Sequence, residues 1–552
     1  MERIQLELVN SLEKIFPEAG PEIARNSIDL SALQGETISF QIACFYNGKE
    51  NKYVKIKVHS PIYGFIKLRE VILVPSSFPC YQETDNGYLR STPGMYPDIL
   101  RSRKDNSIKL VAGQWRSLWV DIETTGELQA GRYPVTLEFT SEDGRESNQI
   151  STELNVIGEE LPPLHIKNTR WFHADCLADY YHVTAFSEEH FQIIENFIET
   201  AAKRDINMIL VPQFTPPLDT AVGGERTTIQ LIDIRVNNGN YEFDFSKLKR
   251  YIDLCLAKGI KYLEMSHLFT QWGAKAAPKI MATVDGVYKK IFGWDTPSDG
   301  PEYEAFLSCY LPKLTEHLKL FGADQVTYFH ISDEPHLEHL ETYRHAVSLV
   351  KPYLEGFQII DAMSNEQFYE LGLTQQPICA IDAIEPFLSK QVPKLWGYYC
   401  CDQKLTVSNC FMSMKSSRTR VYGLQIYLYD LTGFLHWAFN FYNTQFSIEH
   451  INPYEVTDAG DSFPSGDAFV VYPGKDFLPE ESLRLMVLYE AMTDLRALKL
   501  LESLTSKEYV RDIIDREAGY RITFQKYPMR SSFYINLRNK INQEIEKYRS
   551  YQ

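Results

Sequence analysis

The sequence predicts an α/β protein in which a (β/α)8 TIM barrel follows an N-terminal antiparallel β-sandwich and precedes a helical C-terminal extension. The first 160 residues alternate apolar and polar positions in short runs separated by turn residues, as the strands of a sandwich do. After them, strand-like and helix-like runs alternate, which is typical of a parallel sheet covered by helices. We therefore divide the chain into residues 1–162, 163–502 and 503–552.

The β-sandwich is predicted from six runs with period-two alternation, namely "TISFQIACFYN", "KYVKIKVHS", "FIKLREVILVP", "QWRSLWVDIETT", "RYPVTLEFT" and "STELNVIG". The stretch from Ser76 to Gly113, which carries "TPGMYPDIL", is too long for a turn, and we expect a loop that lies over the next domain. Pro162 and Pro163 then form a stiff linker.

Eight further strands are predicted after the linker, at "RWF", "MILVPQF", "IKYLEMS", "QVTYFHI", "FQIIDAM", "ICAIDAI", "KLWGYYC" and "FLHWAFN". Helices separate the early ones: Ser187 can cap a first helix, and Gly259 suits the end of a second. A doubly wound sheet would also alternate in this way, but it would not need eight strands, so a closed barrel is favoured. A long helix over "PEESLRLMVLYEAMTDLRALKLLESL" and a mostly helical, polar tail follow.

The segment "HISDEP" places two carboxylates, Asp333 and Glu334, directly after the fourth predicted strand. Pro335 suits the first turn of the helix that follows. The pair is therefore expected at the carboxyl end of a barrel strand, where the active sites of such barrels lie. The alternative is a helix cap whose negative charges favour the helix dipole.

Polar and aromatic residues recur at the ends of the other predicted strands. Rings that stack on the apolar face of a sugar, and amides or carboxylates that bind its hydroxyl groups, are what a carbohydrate site needs. The candidate substrate-binding residues are Asp175, His267, Asn365, Tyr398, Tyr399, Trp437 and Asn440. Strand alternation does not fix which of Tyr398 and Tyr399 points to the site.

Consecutive carboxylates do not suit an ordinary glycosidase, which places its two acids on either side of the scissile bond. They do suit substrate-assisted catalysis, in which the 2-acetamido oxygen of the sugar attacks the anomeric carbon. We assign Asp333 to the stabilisation of the acetamido nitrogen and Glu334 to protonation of the leaving oxygen. Glu334 then needs a raised pKa, which a nearby ionised Asp333 would help to produce.

The chain also resembles glycoside hydrolase family 123, the retaining β-N-acetylgalactosaminidases, and a related, mostly uncharacterised domain. The resemblance rests on "HISDEP", "HLFTQWG", "FGWDT", "FLHWAFNFYN", and "GDAFVVYPG" followed by "SLRLMVLYEAMTDLRAL". It implies an exo-acting enzyme that removes terminal β-linked N-acetylgalactosamine, as on glycosphingolipid glycans. Asp333 and Glu334 match the Asp and Glu of the family motif, and Tyr399, Trp437 and Asn440 are candidates for enclosing the acetamido group.

Two other functions remain open from the sequence. A hexosaminidase or other glycosidase with a different sugar preference would keep the same carboxylates, because the choice between sugar epimers depends on a few contacts. A non-catalytic carbohydrate-binding protein on the same scaffold is the third hypothesis, although such a protein would have no need of both Asp333 and Glu334.

Composition narrows the partners. The net charge of −17 comes from scattered acids and there is no basic stripe, so nucleic acid is not an expected partner. No apolar run is long enough for membrane insertion, and the amino terminus lacks a signal-peptide core, so a cytoplasmic protein is expected, although a removed leader would leave the same sequence. "YPGKD" lacks the glycines of a phosphate loop and "HLEH" lacks a third ligand, so we predict no cofactor and no metal. The oligomeric state is left open.

Overall fold

The N-terminal region consists of two packed β-sheets. The computed structural model describes residues 3–22, 28–124, 126–144 and 146–549. The first ten strands are β1 (Ile4–Asn10), β2 (Asp29–Gln34), β3 (Thr37–Tyr46), β4 (Lys52–His59), β5 (Ile66–Ser76), β6 (Gly94–Ser102), β7 (Ser107–Leu110), β8 (Trp115–Glu123), β9 (Gly131–Ser141) and β10 (Ser147–Glu160). One sheet has the order β2-β10-β9-β4-β7, and the other contains β1-β3-β8-β5-β6. Apolar side chains from both sheets, such as Phe40, Val54, Val120 and Leu137, form the core between them.

Two sequence expectations for this region are wrong. The sandwich is not wholly antiparallel, because β2 pairs parallel to β10. "TPGMYPDIL" is not a loop: most of it forms β6, which is buried over five consecutive residues and pairs antiparallel with β5. The residues between these two strands do reach the barrel, since Ser465 donates its backbone N–H to the carbonyl of Phe78 and Ser413 donates its hydroxyl to that of Pro79.

The remaining strands form the barrel, a separate four-stranded sheet, and a pair of strands that extends one sheet of the sandwich. In chain order they are β11 (Lys167–Arg170), β12 (Met208–Val211), β13 (Asp233–Asn237), β14 (Asn240–Asp244), β15 (Tyr262–Met265), β16 (Ile280–Val284), β17 (Val287–Phe292), β18 (Thr327–Phe329), β19 (Gln358–Met363), β20 (Gln376–Ala380), β21 (Trp396–Tyr398), β22 (Gly433–His436), β23 (Val471–Pro473) and β24 (Pro479–Ser482). The eight parallel strands β11, β12, β15, β18, β19, β20, β21 and β22 form a closed barrel. Each overlaps one of the eight strands predicted from the sequence, although β11 shares only Arg170 with the predicted run "RWF".

Helices cover the barrel and complete the C-terminal part of the chain. They are α1 (Ala174–Tyr181), α2 (Glu188–Lys203), α3 (Ser246–Ala257), α4 (Pro301–Leu320), α5 (Leu340–Val350), α6 (Gln367–Glu370), α7 (Glu385–Ser389), α8 (Ser416–Tyr429), α9 (Leu483–Leu504), α10 (Lys507–Ala518) and α11 (Ser531–Arg549). The Ser187 hydroxyl accepts the N–H of His190 and so caps α2 as predicted. Gly259, just after α3, has a φ of 96°, which suits glycine. No helix in the described ranges is long and apolar enough to cross a bilayer.

The barrel and the sandwich are connected by strand pairing and ion pairs as well as by the linker. Strands β23 and β24 follow the last barrel strand, yet β24 pairs with β6 and extends the first sheet to seven strands. At this junction Glu481 of β24 binds the guanidinium groups of both Arg69 and Arg204. The barrel is therefore anchored to the sheet by pairing and by buried ion pairs, which fixes the loops above it. The domain limits at residues 162 and 502 stay predictions.

Candidate active site

Asp333 and Glu334 lie in the loop after β18, at the carboxyl end of the fourth barrel strand. Glu334 has a φ of 44°, a left-handed conformation that is uncommon for glutamate. This turn ends the strand's alternation, so the two side chains need not point to opposite sides. The prediction that Pro335 lies in the first helical turn is wrong: the turn at Glu334 delays the helix, and a 3₁₀ turn begins only at Leu337, before α5 at Leu340.

Glu334 accepts a hydrogen bond from the Tyr398 hydroxyl, 2.6 Å away. Burial raises the pKa of the Glu334 carboxyl, and the Tyr398 hydrogen bond opposes that rise because it stabilises the anion. The charges of Asp402 and Asp382 raise the pKa further. The direction is the one that a general acid working near neutrality needs.

Asp333 lies in an environment that disfavours its negative charge still more. Its pKa is raised well above the ordinary range, first by burial and then by the charge of Glu334. The charges of Asp361 and Glu264 act in the same direction, and that of His330 acts against them. Burial and mutual repulsion therefore favour states in which at least one of these two adjacent carboxyls is protonated.

Below the pair, His330 lies between two buried carboxylates. Its Nε2 is 2.5 Å from Glu264 Oε1, and its Nδ1 is 3.1 Å from Asp361 Oδ1. His267, His330 and Asp361 offer ligand atoms within 4.8 Å of one another. They do not fit a metal ion as arranged, because both nitrogens of His330 are already engaged.

His267, a predicted sugar ligand, stacks on His330 with ring centroids 4.3 Å apart. The Trp171 ring packs edge-on against His267, with ring centroids 5.1 Å apart. His267 is buried, and neither ring nitrogen has a hydrogen-bond partner. Burial and the charge of His330 hold its pKa well below 6.5, so the imidazole is neutral. The structure thus places His267 beside the carboxylate cluster, and its contact with a sugar stays a prediction.

Trp437, which follows the eighth barrel strand, lies half-buried at the rim. Its indole N–H donates to Asp467 Oδ2 over 2.9 Å, and the rings of Phe441 and Phe463 pack against it at 5.1 and 5.4 Å. A half-exposed indole with a fixed orientation can stack on a sugar. Asn440 differs: its amide binds both backbone groups of His173 and is fully buried, so it braces two loops.

Asp175 is neutralised by Arg226, which donates to both carboxylate oxygens over 2.8 Å. Both side chains are buried, and Arg226 also donates to His173 Nδ1. This arrangement supports the loops after the first two barrel strands. Asn365 lies after the fifth strand, where its side chain accepts the N–H of Gln367 and so starts a short helix.

The structure separates the two tyrosines whose orientation the sequence left open. Tyr398 belongs to the apolar cluster inside the barrel and reaches Glu334. Tyr399 points the other way and packs between the barrel wall and α8, with its ring 5.8 Å from that of Tyr422. The geometry therefore associates Tyr398, and not Tyr399, with the carboxylate pair.

Sequence reasoning assigned no role to Glu264, Asp361 or Trp171, and all three border the pair from inside the barrel. Trp171 donates its indole N–H to Glu264 over 2.8 Å. A signal was present, because "YLEMS" and "FQIIDAM" each carry one acid inside an otherwise apolar strand. Their convergence on His330 depends on strand order, which the spacing of residues does not reveal.

These features, a closed parallel barrel with paired carboxylates and aromatic residues at the carboxyl ends of its strands, are those of a barrel hydrolase acting on carbohydrate. The family model of the glycoside hydrolase 123 catalytic domain matches residues 171–501, more than half of the chain. The chain belongs to glycoside hydrolase family 123, which confirms the resemblance drawn from the sequence.

Of two similar solved structures, the first supports the same fold. A family 123 glycoside hydrolase from Clostridium perfringens, studied for glycolipid glycan hydrolysis, aligns over 100% of this chain and 99% of its own, with a TM-score of 0.77 at 16% identity. A β-glucuronidase from Parabacteroides merdae aligns over 90% of this chain and 52% of its own, with a TM-score of 0.32 at 10% identity. No curated protein matches the sequence.

Proposed function

We propose that this protein is an exo-acting, retaining β-N-acetylgalactosaminidase that uses the 2-acetamido group of its substrate as the nucleophile. The observation that carries the proposal is the adjacent pair Asp333 and Glu334 at the end of β18, where a left-handed turn lets both carboxyls serve one site. Family membership supports a glycoside hydrolase with a carbohydrate substrate.

The first step breaks the glycosidic bond. The acetamido oxygen attacks the anomeric carbon while the bond from that carbon to the leaving oxygen breaks, and Glu334 gives its proton to the leaving oxygen. The sugar becomes a cyclic oxazolinium, with the positive charge shared by nitrogen. Burial favours a protonated Glu334 before this step, and the Tyr398 hydrogen bond stabilises the carboxylate that forms.

Asp333 supports the charge that develops on the acetamido nitrogen. As the nitrogen becomes positive, its N–H donates to the Asp333 carboxylate, and this interaction strengthens in the transition state. The same interaction favours the ionised form of Asp333. Since the pair shares one proton, bound substrate therefore shifts that proton towards Glu334.

The second step returns the enzyme to its starting state. Glu334, now a carboxylate, takes a proton from water, and the water oxygen bonds to the anomeric carbon as the ring carbon–oxygen bond of the oxazolinium breaks. Two displacements at one carbon give a product with retained configuration. The acetamido group and the protonated Glu334 are both regenerated.

The sugar preference and the natural glycan belong to the proposal as well. We infer terminal β-linked N-acetylgalactosamine, on glycans such as those of glycosphingolipids. The fold of the Clostridium perfringens hydrolase, which was studied on glycolipid glycans, supports this substrate class. The half-buried Trp437 offers a flat face on which such a sugar can stack. Because N-acetylgalactosamine is neutral, its binding needs no lysine or arginine.

Hydrolysis of three 4-nitrophenyl β-glycosides tests the proposal: the N-acetylgalactosaminide, its gluco epimer and the simple galactoside. We expect release from the first, much less from the second and none from the third, because the galactoside lacks the acetamido nucleophile. Equal release from the galactoside would contradict substrate assistance. Preference for the gluco epimer would change the sugar but keep the mechanism, and release from none would favour a binding role.

A further inference from the structure

The ion triad Glu264, His330 and Asp361 has no part in the steps above. The three side chains come from β15, from the residue after β18 and from β19, and none of them is exposed to solvent. Burying three ionisable groups is expensive, and apolar residues of similar volume are often as stable or more so. Such an arrangement next to a catalytic pair therefore suggests an electrostatic task.

His330 carries a fixed positive charge. Each ring nitrogen faces a carboxylate oxygen, at 2.5 Å for Glu264 and 3.1 Å for Asp361, so both nitrogens act as donors. Burial lowers the pKa of His330, but the hydrogen bonds and charges of Asp361 and Glu264 outweigh it and raise the pKa to about 10. The imidazolium is therefore present throughout the neutral range.

Other groups donate hydrogen bonds to the two carboxylates. Glu264 accepts from the Trp171 indole and from the Thr169 hydroxyl over 2.8 and 2.7 Å. Asp361 accepts from the Tyr343 hydroxyl and from the backbone N–H of Ile331 over 2.5 and 3.0 Å. Several donors to one carboxylate stabilise its charge, although burial still raises the pKa of Asp361.

Aromatic rings seal the cation away from solvent. The neutral His267 ring stacks on the His330 ring, with an interplanar angle of 22° and centroids 4.3 Å apart, so its face contacts the imidazolium. The Trp171 ring lies edge-on to the His330 ring, with an interplanar angle of 86° and ring centroids 5.8 Å apart.

His330 is also placed to act on the catalytic pair, three residues before Asp333 on the same strand end. The charged groups that face Asp333 are Glu334 from its own loop, Glu264 from β15, Asp361 from β19 and His330 itself. Glu264 and Asp361 are acidic, Glu334 shares a proton with Asp333, and His330 is the cation among them. It is the group that favours an ionised Asp333.

We propose that His330, held between Glu264 and Asp361, is a positioning residue that favours the ionised form of Asp333, so that bound substrate shifts the shared proton of the pair to Glu334. This inference rests on the proposed function for its catalytic meaning. Its physical content, the ionisation of Asp333, can be measured without any substrate.

The experiment titrates Asp333 directly. Protein labelled with carbon-13 at the aspartate side-chain carboxyl is followed by infrared difference spectroscopy from pH 4 to 10, with Asp333→Asn to assign the band. His330→Gln removes the cation and Glu264→Gln removes an anion. We expect the Asp333 titration to move up by about one pH unit in the first variant and down in the second, since the added or removed charge acts at close range.

Two matched controls separate charge from packing. Thr169→Val and Tyr343→Phe each remove a hydroxyl that donates to one of the same carboxylates, but neither changes the charge of the triad. Both should leave the Asp333 titration within about 0.3 pH unit of the original, as hydroxyl losses are smaller perturbations than charge changes. If His330→Gln does not fold, the opposite shift in Glu264→Gln still tests the inference.

The acid limb of the pH profile of kcat/KM supplies the functional readout and should move in the same two directions. Unchanged Asp333 titration in His330→Gln, or shifts of one sign in both charge variants, would overturn the inference. Infrared shifts as expected in a protein that hydrolyses no N-acetylhexosaminide would support the electrostatic role and reject the proposed function. The two failures are thus distinguishable.

Discussion

At the scale of single residues, Glu334 shows how one strained position prepares the site. Its left-handed backbone, with a φ of 44°, is unfavourable for a residue with a Cβ and persists only where the surroundings enforce it. The Tyr398 hydrogen bond and the turn before Pro335 hold it there. In the proposed mechanism this turn allows the two neighbouring carboxyls to act differently on one substrate.

Replacing Glu334 with glutamine tests its acid role, because the amide cannot give a proton to the leaving oxygen. Turnover should fall by about 10²-fold or more on glycans, whose leaving group needs protonation. It should fall much less on a 2,4-dinitrophenyl glycoside, whose leaving group departs unprotonated. Steady-state kinetics on both substrates checks this, and an equal loss on both would count against the acid role.

Tyr398→Phe tests the hydrogen bond to the acid. That bond lowers the pKa of Glu334, so its loss should raise the pKa and move the alkaline limb of the kcat/KM profile to higher pH. Because the hydroxyl also stabilises the carboxylate that forms during cleavage, kcat should fall by roughly tenfold. A limb that stays in place, or moves to lower pH, would show that Tyr398 does not act on Glu334.

At the scale of elements, Asp219 links three loops of the barrel rim. Its carboxylate accepts the N–H of Phe446 over 3.1 Å, its carbonyl accepts the Ser447 hydroxyl, and its own N–H donates to Gln271. Trp272, which follows Gln271 in the chain, donates its backbone N–H to the carbonyl of Asp333. Its ring centroid lies 5.9 Å from that of Phe446. The loops after strands two, three and eight are thereby fixed around the catalytic pair.

Asp219→Ala should loosen this rim without unfolding the barrel. We expect kcat/KM to fall by about tenfold, because small misplacements of site loops are costly, while the melting temperature changes by only a few degrees. Asp219→Asn is the matched control, since it keeps an acceptor oxygen and tolerates the left-handed φ of 40°. Equal activity of the alanine and asparagine variants would show that the link is dispensable.

At the scale of the whole molecule, buried charges join the barrel, the sandwich and the C-terminal helix. Arg420 of α8 binds Asp494 and Glu490 of α9, at 2.7 and 2.8 Å. Arg538 of α11 binds Asp494 and also Glu36, which lies between β2 and β3. The helical C-terminus is thus part of one cooperative structure, because its arginine is a partner of acids in both other regions.

Glu490 makes the stability of this assembly depend on pH. Burial raises its pKa from 4.5 to about 7 despite the opposing charge of Arg420. The folded protein therefore binds more protons than the unfolded chain between these values, and stability falls as pH rises from about 4.5 to 7. In Glu490→Gln this part of the decline should be absent, and thermal unfolding measured from pH 4 to 8 checks it. Parallel curves for the two proteins would contradict the raised pKa.

The sequence predicted the eight barrel strands because β-branched and aromatic runs alternate with amphipathic helices along the chain. It did not predict that β24 would join the sandwich, since the four residues "PEES" carry no strand signal and pair only because β6 offers an edge. The carboxylate pair was visible as adjacent acids. The triad around His330 was not, because Glu264, His330 and Asp361 are distant in sequence and meet through the order of strands.

The central claim is that the acetamido oxygen of the substrate is the nucleophile, and successive fluorination of that group tests it most directly. Aryl β-galactosaminides with N-acetyl, N-fluoroacetyl, N-difluoroacetyl and N-trifluoroacetyl groups differ mainly in the nucleophilicity of that oxygen. We predict that kcat/KM falls steeply with each fluorine, by orders of magnitude across the series. A flat dependence would contradict the account, because it would require a nucleophile supplied by the protein.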